Sequence, residues 1–289
     1  MRLIRFGPSG EERPGLLVDD ATAVDLSTLT PDIDGAFLSS GGIDRVRAVH
    51  ADPAAAGLPL VDLAGVRLGS PVARPHAVLC IGLNYADHAA ETGLRIPSEP
   101  ILFTKTPNTV VGPEDDIELP RGSQRTDWEV ELAVVIGRPC HYLADEEEAL
   151  AAVAGYCVAN DVSEREFQIE RGGQWTKGKS SPTFNPLGPW LVTPDEVADP
   201  SALALGLDVN GVAMQRGTTG RMIFGVGYLI RYLSQFLRLE AGDVINTGTP
   251  PGVGMAQRPP RYLQPGDVVE AWIDGLGRQR SVVVASRPG

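Results

Sequence analysis

Glycine and proline residues separate short apolar runs along most of this chain. The 289 residues include 33 Gly and 24 Pro, which interrupt helices and favour turns. Short apolar runs bounded by such residues are typical of β-strands. The sequence therefore predicts a β-rich α+β fold with few long helices. Strands are predicted at Ala77–Ile81, Ile101–Thr104, Asp127–Ile136, Gly155–Ala159, Pro189–Val192 and Ala204–Val209.

The first part of the chain differs from the rest. A strand pair from Leu3–Phe6 and Leu16–Leu26, followed by a helical stretch at Ile33–Val49, predicts a small N-terminal α/β domain over residues 1–70. The stretch Ala54–Pro75, which contains several Pro and Gly residues, is predicted to connect this segment to the main domain, residues 75–287. Helices are predicted in that domain at Asn84–Glu91, Asp145–Ala154 and Met222–Leu237.

Two short segments near the C-terminus are similar. LEAGDVI begins at Leu239 and LQPGDVV begins at Leu263. Each places a Gly-Asp turn before an apolar strand. This similarity predicts two alike strand entries in a rolled or barrel-like sheet.

Charge and composition exclude several classes of protein. Lys and Arg number 25 against 37 Asp and Glu, which gives a formal net charge of -12, so the surface field repels nucleic acid and anionic membranes. No apolar run approaches the roughly 18 residues of a membrane span, and the N-terminus lacks the apolar stretch of a signal peptide. We expect a cytoplasmic protein. Its three cysteines lack metal-ligand spacing and are expected to be reduced thiols.

Two glutamates in one apolar segment are the strongest chemical signal. Side chains alternate along a strand, so Glu129 and Glu131 share a face while Val130 and Leu132 pack on the other. Paired carboxylates either lie in water or hold a cation. An edge strand with both carboxylates in solvent is the alternative explanation.

Asp161 supports the metal interpretation. It follows the apolar run that ends at Asn160 and precedes a predicted helix, a junction that can direct a side chain into a cleft. Three carboxylate ligands with water in the remaining positions suit Mg2+ or Mn2+. A helix N-cap is the alternative role for Asp161.

His88 and Glu91 are three residues apart on a predicted helix, so they share one face. A carboxylate that holds one imidazole nitrogen leaves the other nitrogen free to take a proton from water. A surface helix pair is the alternative.

Two later segments carry further candidates. Lys179 is a candidate for stabilising a developing enolate, and a solvent-exposed loop lysine is its alternative. The segment from Asn246 to Gly254 is rich in Gly and Pro, and its backbone N–H groups and the Thr249 hydroxyl could bind a carboxylate. A rigid turn without a ligand is the alternative there.

Five segments resemble, in the same order, the signature segments of the fumarylacetoacetate hydrolase family. They are GLNYADHAAETG, DWEVELAVVIG, GYCVANDVSERE, KGKSSPTFNPLGPW and GDVINTGTPPGVG. The resemblance covers residues 75–285 and implies the family's C-terminal-type mixed β-sandwich roll behind the small N-terminal domain. It also implies a homodimer.

The resemblance assigns roles to the candidate residues. It implies that Glu129, Glu131 and Asp161 bind Mg2+ or Mn2+, and that His88 and Glu91 activate a water molecule. The residues that it implies contact the substrate are Arg165, Gln168, Lys179 and Thr249. Asn185 departs from the small residue or cysteine of many relatives, and we expect it to line the pocket wall.

The function expected from these residues is metal-dependent hydrolysis of a C–C bond. The substrate would be a 2,4-diketo acid of the acylpyruvate type, as in the bacterial branch that includes diketo-deoxy sugar acid hydrolases. An isomerase, tautomerase or decarboxylase of a related 2-keto or 2-hydroxy-dienoic acid is the alternative. A non-catalytic protein in which the carboxylates brace the fold is a third possibility.

Overall fold

A computed structural model describes residues 1–54 and 56–286. Arg287, the last residue of the predicted main domain, lies outside the described residues, as does position 55 of the predicted connection. The strands are β1 (Arg2–Phe6), β2 (Arg13–Leu17), β3 (Thr22–Asp25), β4 (Leu60–Asp62), β5 (Leu68–Gly69), β6 (Val78–Gly82), β7 (Ile101–Lys105), β8 (Val110–Val111), β9 (Ile117–Glu118), β10 (Thr126–Asp127), β11 (Val130–Ile136), β12 (Val153–Asn160), β13 (Ser163–Glu164), β14 (Asn185–Val192), β15 (Ala204–Val209), β16 (Val212–Thr218), β17 (Val244–Asn246), β18 (Val268–Ile273) and β19 (Gly277–Val284).

The helices are short. They are α1 (Gly35–Ser39), α2 (Gly42–Ala51), α3 (Ala86–Thr92), α4 (Glu146–Leu150), α5 (Thr176–Lys179) and α6 (Val226–Ser234). Single 3-10 turns lie at Pro107–Thr109, Pro194–Glu196, Thr219–Arg221 and Gly254–Ala256, and a π-helical turn lies at Glu166–Glu170. In the part of the chain that the structure describes, no helix is both long and apolar enough to cross a membrane.

Two sheets packed face to face form the main body. The larger sheet has the strand order β4-β3-β2-β1-β14-β12-β11-β17-β6-β7, and the smaller has the order β16-β15-β18-β19-β9. Apolar residues of β11, β12 and β6 meet those of β15 and β18 in one buried cluster, which α4 and α6 extend. This arrangement confirms the predicted β-rich α+β class and the mixed β-sandwich.

Strand β11 lies at the centre of the larger sheet, between β12 and β17. Its side chains alternate between two cores. Val130 and Leu132 face the smaller sheet, whereas Ala133 and Val135 face the N-terminal segment. All seven residues of β11 are buried, so the alternative of an exposed edge strand is wrong.

The N-terminal segment adds strands to the larger sheet. β1 pairs antiparallel with β14, with Leu3 opposite Leu191, and Leu3, Leu16 and Phe37 join residues of β11 and β12 in a second core. The division into residues 1–70 and 75–287 stays a prediction.

Four predicted helices have different bounds in the structure. Asp145–Ala154 is helical over Glu146–Leu150, because residues from Val153 onward pair with β11. Met222–Leu237 is helical over Val226–Ser234, since Met222 instead bridges Tyr85.

The third of these, Ile33–Val49, consists of two helices, α1 and α2, that meet at Gly41. The Asn84–Glu91 helix begins at Ala86 and ends before Gly93.

The two similar C-terminal segments form the same turn. Asp243 accepts a hydrogen bond from the N–H of Glu240, and Asp267 accepts one from the N–H of Gln264, both over 2.8 Å. Each turn leads directly into a strand, β17 in the larger sheet and β18 in the smaller. The predicted pair of alike strand entries is confirmed, but the two strands lie in different sheets and not in one rolled sheet.

Candidate functional site

A cavity of about 370 Å³ opens beside the end of β6 and the start of β11. Most of the predicted site residues line it, namely His88, Glu129, Glu131, Arg165, Gln168, Lys179 and Thr249. Asp161 is fully buried and contacts Lys179, and Glu91 contacts His88. The structure thus brings all nine predicted residues together.

The three predicted metal ligands form a buried group. Glu129 directly precedes β11, Glu131 lies within it, and Asp161 follows β12. One carboxylate oxygen from each lies within 4.8 Å of the others. The exposed fractions of Glu129, Glu131 and Asp161 are 6%, 2% and 0%, respectively. Bulk water therefore solvates their charges very little.

Neighbouring cations stabilise part of this negative charge. Lys179 Nζ donates to Glu129 Oε2 and to Asp161 Oδ2, each over 2.8 Å. Burial by itself raises the pKa of Glu129, but the charges of Lys179 and Arg165 outweigh it and lower that pKa to about 2.

Among the described residues, no cation forms an ion pair with Glu131. Burial, together with the charges of Asp161 and Glu129, raises the pKa of Glu131 well above its usual range. The backbone N–H of Gly248 donates to Glu131 Oε2 over 2.7 Å, which holds the carboxyl in place without supplying a full positive charge.

The described site has more carboxylates than cations. The buried carboxylates are those of Asp127, Glu129, Glu131 and Asp161, and the buried cations are those of Lys105, Arg165 and Lys179. A divalent cation among the three clustered carboxylates would reverse this imbalance. Hard carboxylate oxygens are the ligands that Mg2+ and Mn2+ prefer, so the residues fit such an ion.

Lys179 is not a loop lysine in solvent. It ends the short helix α5 and is 1% exposed. Burial alone lowers the pKa of Lys179, but the carboxylates of Asp161 and Glu129 more than offset this and raise it, so the side chain stays an ammonium. The Phe103 ring lies beneath it, with its centroid 5.1 Å from Nζ.

Lys105, at the end of β7, was not identified from the sequence. Its Nζ donates to Asp161 Oδ1 over 2.5 Å and to the carbonyl of Phe184 over 2.6 Å. Asp161 therefore lies between two ammonium groups. A lysine directly after the predicted strand Ile101–Thr104 is the sequence signal that could have marked Lys105.

Arg165 lines the cavity, but carboxylates already bind its guanidinium. Its Nε and Nη2 contact Asp127 Oδ2 over 2.9 and 2.8 Å, and its Nη1 contacts Glu129 Oε1 over 2.7 Å. Nη1 also donates to Gln168 Oε1 over 3.0 Å. The acceptor end of the Gln168 amide is thus used, and its NH2 group remains for a ligand.

Asp127 is the second residue that sequence reasoning missed. Besides Arg165, it accepts hydrogen bonds from the backbone N–H groups of Gly254 and Met255, over 2.6 and 3.0 Å. It therefore fixes the Gly- and Pro-rich segment against the start of β11. Its place two residues before Glu129 was a usable signal, because alternation puts the two on one face.

His88 and Glu91 form the predicted pair on α3. Nδ1 of His88 lies 3.1 Å from Glu91 Oε2, and the backbone N–H of Gly252 donates to Glu91 Oε1 over 2.9 Å. With the proton on Nδ1, Nε2 is an unprotonated acceptor. The His88 side chain is 9% exposed, so the surface-pair alternative is wrong for the histidine.

The hydroxyl of Thr249 is bound within the protein. It donates to the carbonyl of Val130 over 2.9 Å and accepts from Gln215 Nε2 over 2.8 Å. Gln215, which the sequence did not indicate, also donates to the carbonyl of Pro250 over 2.8 Å. The hydroxyl hydrogen of Thr249 is therefore not available to a ligand.

The expectation for Asn185 is wrong. This residue is not among the described residues that line the cavity. It begins β14, is fully buried, and accepts a hydrogen bond from Asn246 Nδ2 over 2.7 Å. The hydrogen bond holds the side chain against β17.

Comparisons with known proteins agree on one family. The family model described as fumarylacetoacetate (FAA) hydrolase C-terminal matches residues 77–284. A protein of Burkholderia multivorans, whose name states no more than an assumed hydrolase, is 54% identical over 99% of this chain and 100% of its own length.

Solved structures of hydrolases and isomerases share the fold. Maleylpyruvate hydrolase from Sphingobium sp. SYK-6, in complex with manganese(II) ion and pyruvate, matches with a TM-score of 0.81 and 28% identity over 99% of this chain and 100% of that one. The 5-carboxymethyl-2-hydroxymuconate delta-isomerase from Mycobacterium smegmatis matches with a TM-score of 0.78 and 33% identity over 100% of both chains. The family match and the Burkholderia relative both cover most of the chain, so the protein belongs to the fumarylacetoacetate hydrolase family.

Proposed function

We propose that this protein hydrolyses a C–C bond in a 2,4-diketo acid of the acylpyruvate type, releasing pyruvate and a carboxylic acid. One observation carries the proposal. A histidine held by a carboxylate lines the same cavity as Glu129 and Glu131, whose cluster with Asp161 fits Mg2+ or Mn2+. When bound, the ion would supply positive charge that orients the keto-acid end and polarises its carbonyl.

His88 is the proposed general base. Glu91 holds Nδ1 so that Nε2 can accept a proton from a water molecule. The oxygen of that water adds to the C4 carbonyl carbon of the substrate. The bond between C3 and C4 then breaks, and its electron pair remains on C3 as the enolate of pyruvate.

The same residues complete the proposed reaction. Protonated His88 returns its proton to C3, which yields pyruvate and leaves the water oxygen in the acid product. Lys179 uses two of its three N–H donors on Glu129 and Asp161, so one donor remains for an enolate oxygen. The NH2 group of Gln168 is the second donor that we assign to a substrate oxygen.

An isomerase acting on a related 2-hydroxy-dienoic acid is the alternative candidate. The delta-isomerase of Mycobacterium smegmatis shares the fold over the full length of both chains. Such a reaction moves a proton between carbon atoms and consumes no water. The two candidates therefore differ in the fate of solvent oxygen.

The first experiment incubates the protein with acetylpyruvate in 18O-labelled water, with Mn2+ or with excess chelator. The proposal predicts metal-dependent release of pyruvate and acetate that carries one 18O atom from the attacking water. Oxaloacetate and a 2-hydroxy-dienoic acid serve as parallel substrates. Carbon dioxide release, or isomerisation without 18O uptake, with acetylpyruvate unchanged would overturn the hydrolase proposal.

The matched variants are His88→Asn and His50→Asn. His88→Asn removes the proposed base and is expected to lower kcat by about 10²- to 10⁴-fold, while Mn2+ binding measured by calorimetry is retained. His50 lies on the surface helix α2, and its variant is the control. Unchanged turnover in His88→Asn would exclude the assigned base.

A further inference from the structure

The outer part of the cavity is apolar, and this bears on the substituent beyond C4. We propose that the acyl group of the substrate is an uncharged, apolar chain or ring, rather than a second carboxylate or a polyhydroxylated sugar chain. This inference rests on the proposed function, because it concerns the same cavity.

An aromatic pair forms one wall. Phe103 of β7 and Trp175, which precedes α5, meet edge to face with ring centroids 5.2 Å apart. The Trp175 ring also lies against the end of β6, where a Cβ added to Gly82 would be 2.5 Å from it. Because Phe103 lies under Lys179, the aromatic wall begins where the charged part of the site ends.

Aliphatic side chains line other parts of the cavity. Leu94, which follows α3, and Ile169 of the π-helical turn both line it, and they are 54% and 48% exposed. Ile81 and Met255 contribute further apolar surface. Removing large apolar side chains from water by covering them with an apolar ligand is favourable. An apolar acyl chain therefore suits this surface.

A distal carboxylate would find no free counterion among the described residues that line the cavity. Among the described residues that line the cavity, the lysine and arginine side chains are Lys179 and Arg165. Both are bound to buried carboxylates and lie at the metal-ligand end. Moving a charge or several hydroxyls out of water without such partners is unfavourable.

The direct test measures binding, not turnover. The Mn2+-loaded protein is titrated by calorimetry with three probes of equal chain length, which lack the 4-keto group and cannot be cleaved. They are 2-oxooctanoate, 8-hydroxy-2-oxooctanoate and 2-oxooctanedioate. We expect 2-oxooctanoate to bind about tenfold more tightly than the dioate, with the hydroxylated probe between them. Equal affinities, or tighter binding of either polar probe, would overturn the inference.

Variants locate the effect on the apolar surface. Trp175→Ala is expected to raise the Kd for 2-oxooctanoate about tenfold and to leave the Kd for pyruvate unchanged, while Trp175→Phe keeps most of the affinity. Ile169→Arg introduces a cation and is expected to favour the dioate. A matched control is Trp272→Phe, since Trp272 lies in the smaller sheet. If Trp175→Ala raises the Kd for 2-oxooctanoate and the Kd for pyruvate by the same factor, the aromatic wall does not contact the acyl chain.

The two proposals fail in different ways. If acetylpyruvate is not hydrolysed but 2-oxooctanoate binds best, the hydrolase proposal fails and the apolar preference stands. If acetylpyruvate is hydrolysed but the dioate or the hydroxylated probe binds best, the hydrolase proposal stands and the apolar preference fails.

Discussion

Lys105 shows how a single buried charge supports the site. Its Nζ has three acceptors, Asp161 Oδ1 and the carbonyls of Val162 and Phe184, and the residue is 2% exposed. Removing one partner of a buried ion pair leaves the other charge uncompensated. This arrangement makes Lys105 a structural support for a predicted metal ligand.

Lys105→Met keeps the aliphatic stem and removes the charge. We expect the free energy of unfolding to fall by about 3–5 kcal/mol, measured by urea denaturation monitored by circular dichroism. Lys177→Met is the control, because Lys177 is an exposed lysine in the same region that donates to the carbonyl of Arg171. If the free energy of unfolding falls by the same small amount in both variants, Lys105 does not support Asp161.

Glu129 is one of the three clustered carboxylates, and Lys179 and Arg165 keep it ionised. Glu129→Gln is expected to raise the Kd for Mn2+ by at least about tenfold, measured by calorimetric titration of the metal-free protein. Glu170→Gln changes an exposed carboxylate that pairs with Arg125 and should leave the Kd unchanged. An unaltered titration of Glu129→Gln would remove this residue from the ligand set.

At the scale of elements, the segment after β17 joins the two halves of the site. Gly248 binds Glu131 and Gly252 binds Glu91, each through its backbone N–H. Gly252 has a φ of 106°, and a Cβ there would lie 2.0 Å from the carbonyl oxygen of Met214. A glycine is required at position 252 because of both the backbone angle and this close approach.

Gly252→Ala therefore tests the segment. The positive φ should cost roughly 1–2 kcal/mol, and the clash should in addition displace the N–H from Glu91 and lower kcat. Gly266→Ala is the matched control, since Gly266 has a φ of 93° but nothing within 4 Å of its added Cβ. Equal losses of stability with kcat unchanged in both would show that the segment does not position Glu91.

Local spacing explains which site residues the sequence could predict. Glu129 and Glu131 follow the two-residue period of a strand, and His88 and Glu91 follow helical spacing, so each pair was visible within a few residues. Lys105 lies 56 residues from Asp161, and Gln215 lies 34 residues from Thr249. No local pattern encodes such contacts, because they arise only when the sheets assemble.

The same limit applies to helix bounds. The sequence predicts one helix over Asp145–Ala154, because this segment is acidic at its start and rich in alanine. Yet Val153 and the residues after it pair with β11. Tertiary pairing outweighs helix propensity at this position.

At the scale of the whole molecule, the homodimer stays a prediction from the family resemblance. Sedimentation equilibrium should give about twice the chain mass of 30.7 kDa, independent of Mn2+. A mass of one chain across a concentration series would contradict it.

Arg67 connects the N-terminal segment to the main body. Its guanidinium binds Glu12 over 2.8 Å and Asp115 over 2.6 Å. Burial raises the pKa of Glu12, but hydrogen bonding by Arg67 and the charge of Arg5 outweigh it and lower the pKa below its usual 4.5. A carboxyl whose pKa is lower in the folded state stabilises the fold above its unfolded pKa, and this contribution is lost as pH falls through the folded pKa.

Arg67→Met should thus destabilise the protein by about 1.5–3 kcal/mol at pH 7, the range for hydrogen bonds to charged groups. The difference from the unchanged protein should shrink as the pH falls below 4.5 and through the lowered pKa of Glu12, where that carboxyl takes up a proton. Urea denaturation at pH 7, 5 and 3 measures this, and Arg278→Met, which alters an exposed arginine 3.8 Å from Asp208, is the control. A loss that is the same at every pH would mean that Arg67 stabilises the junction by packing, and that its charge is not what holds the N-terminal segment to the main body.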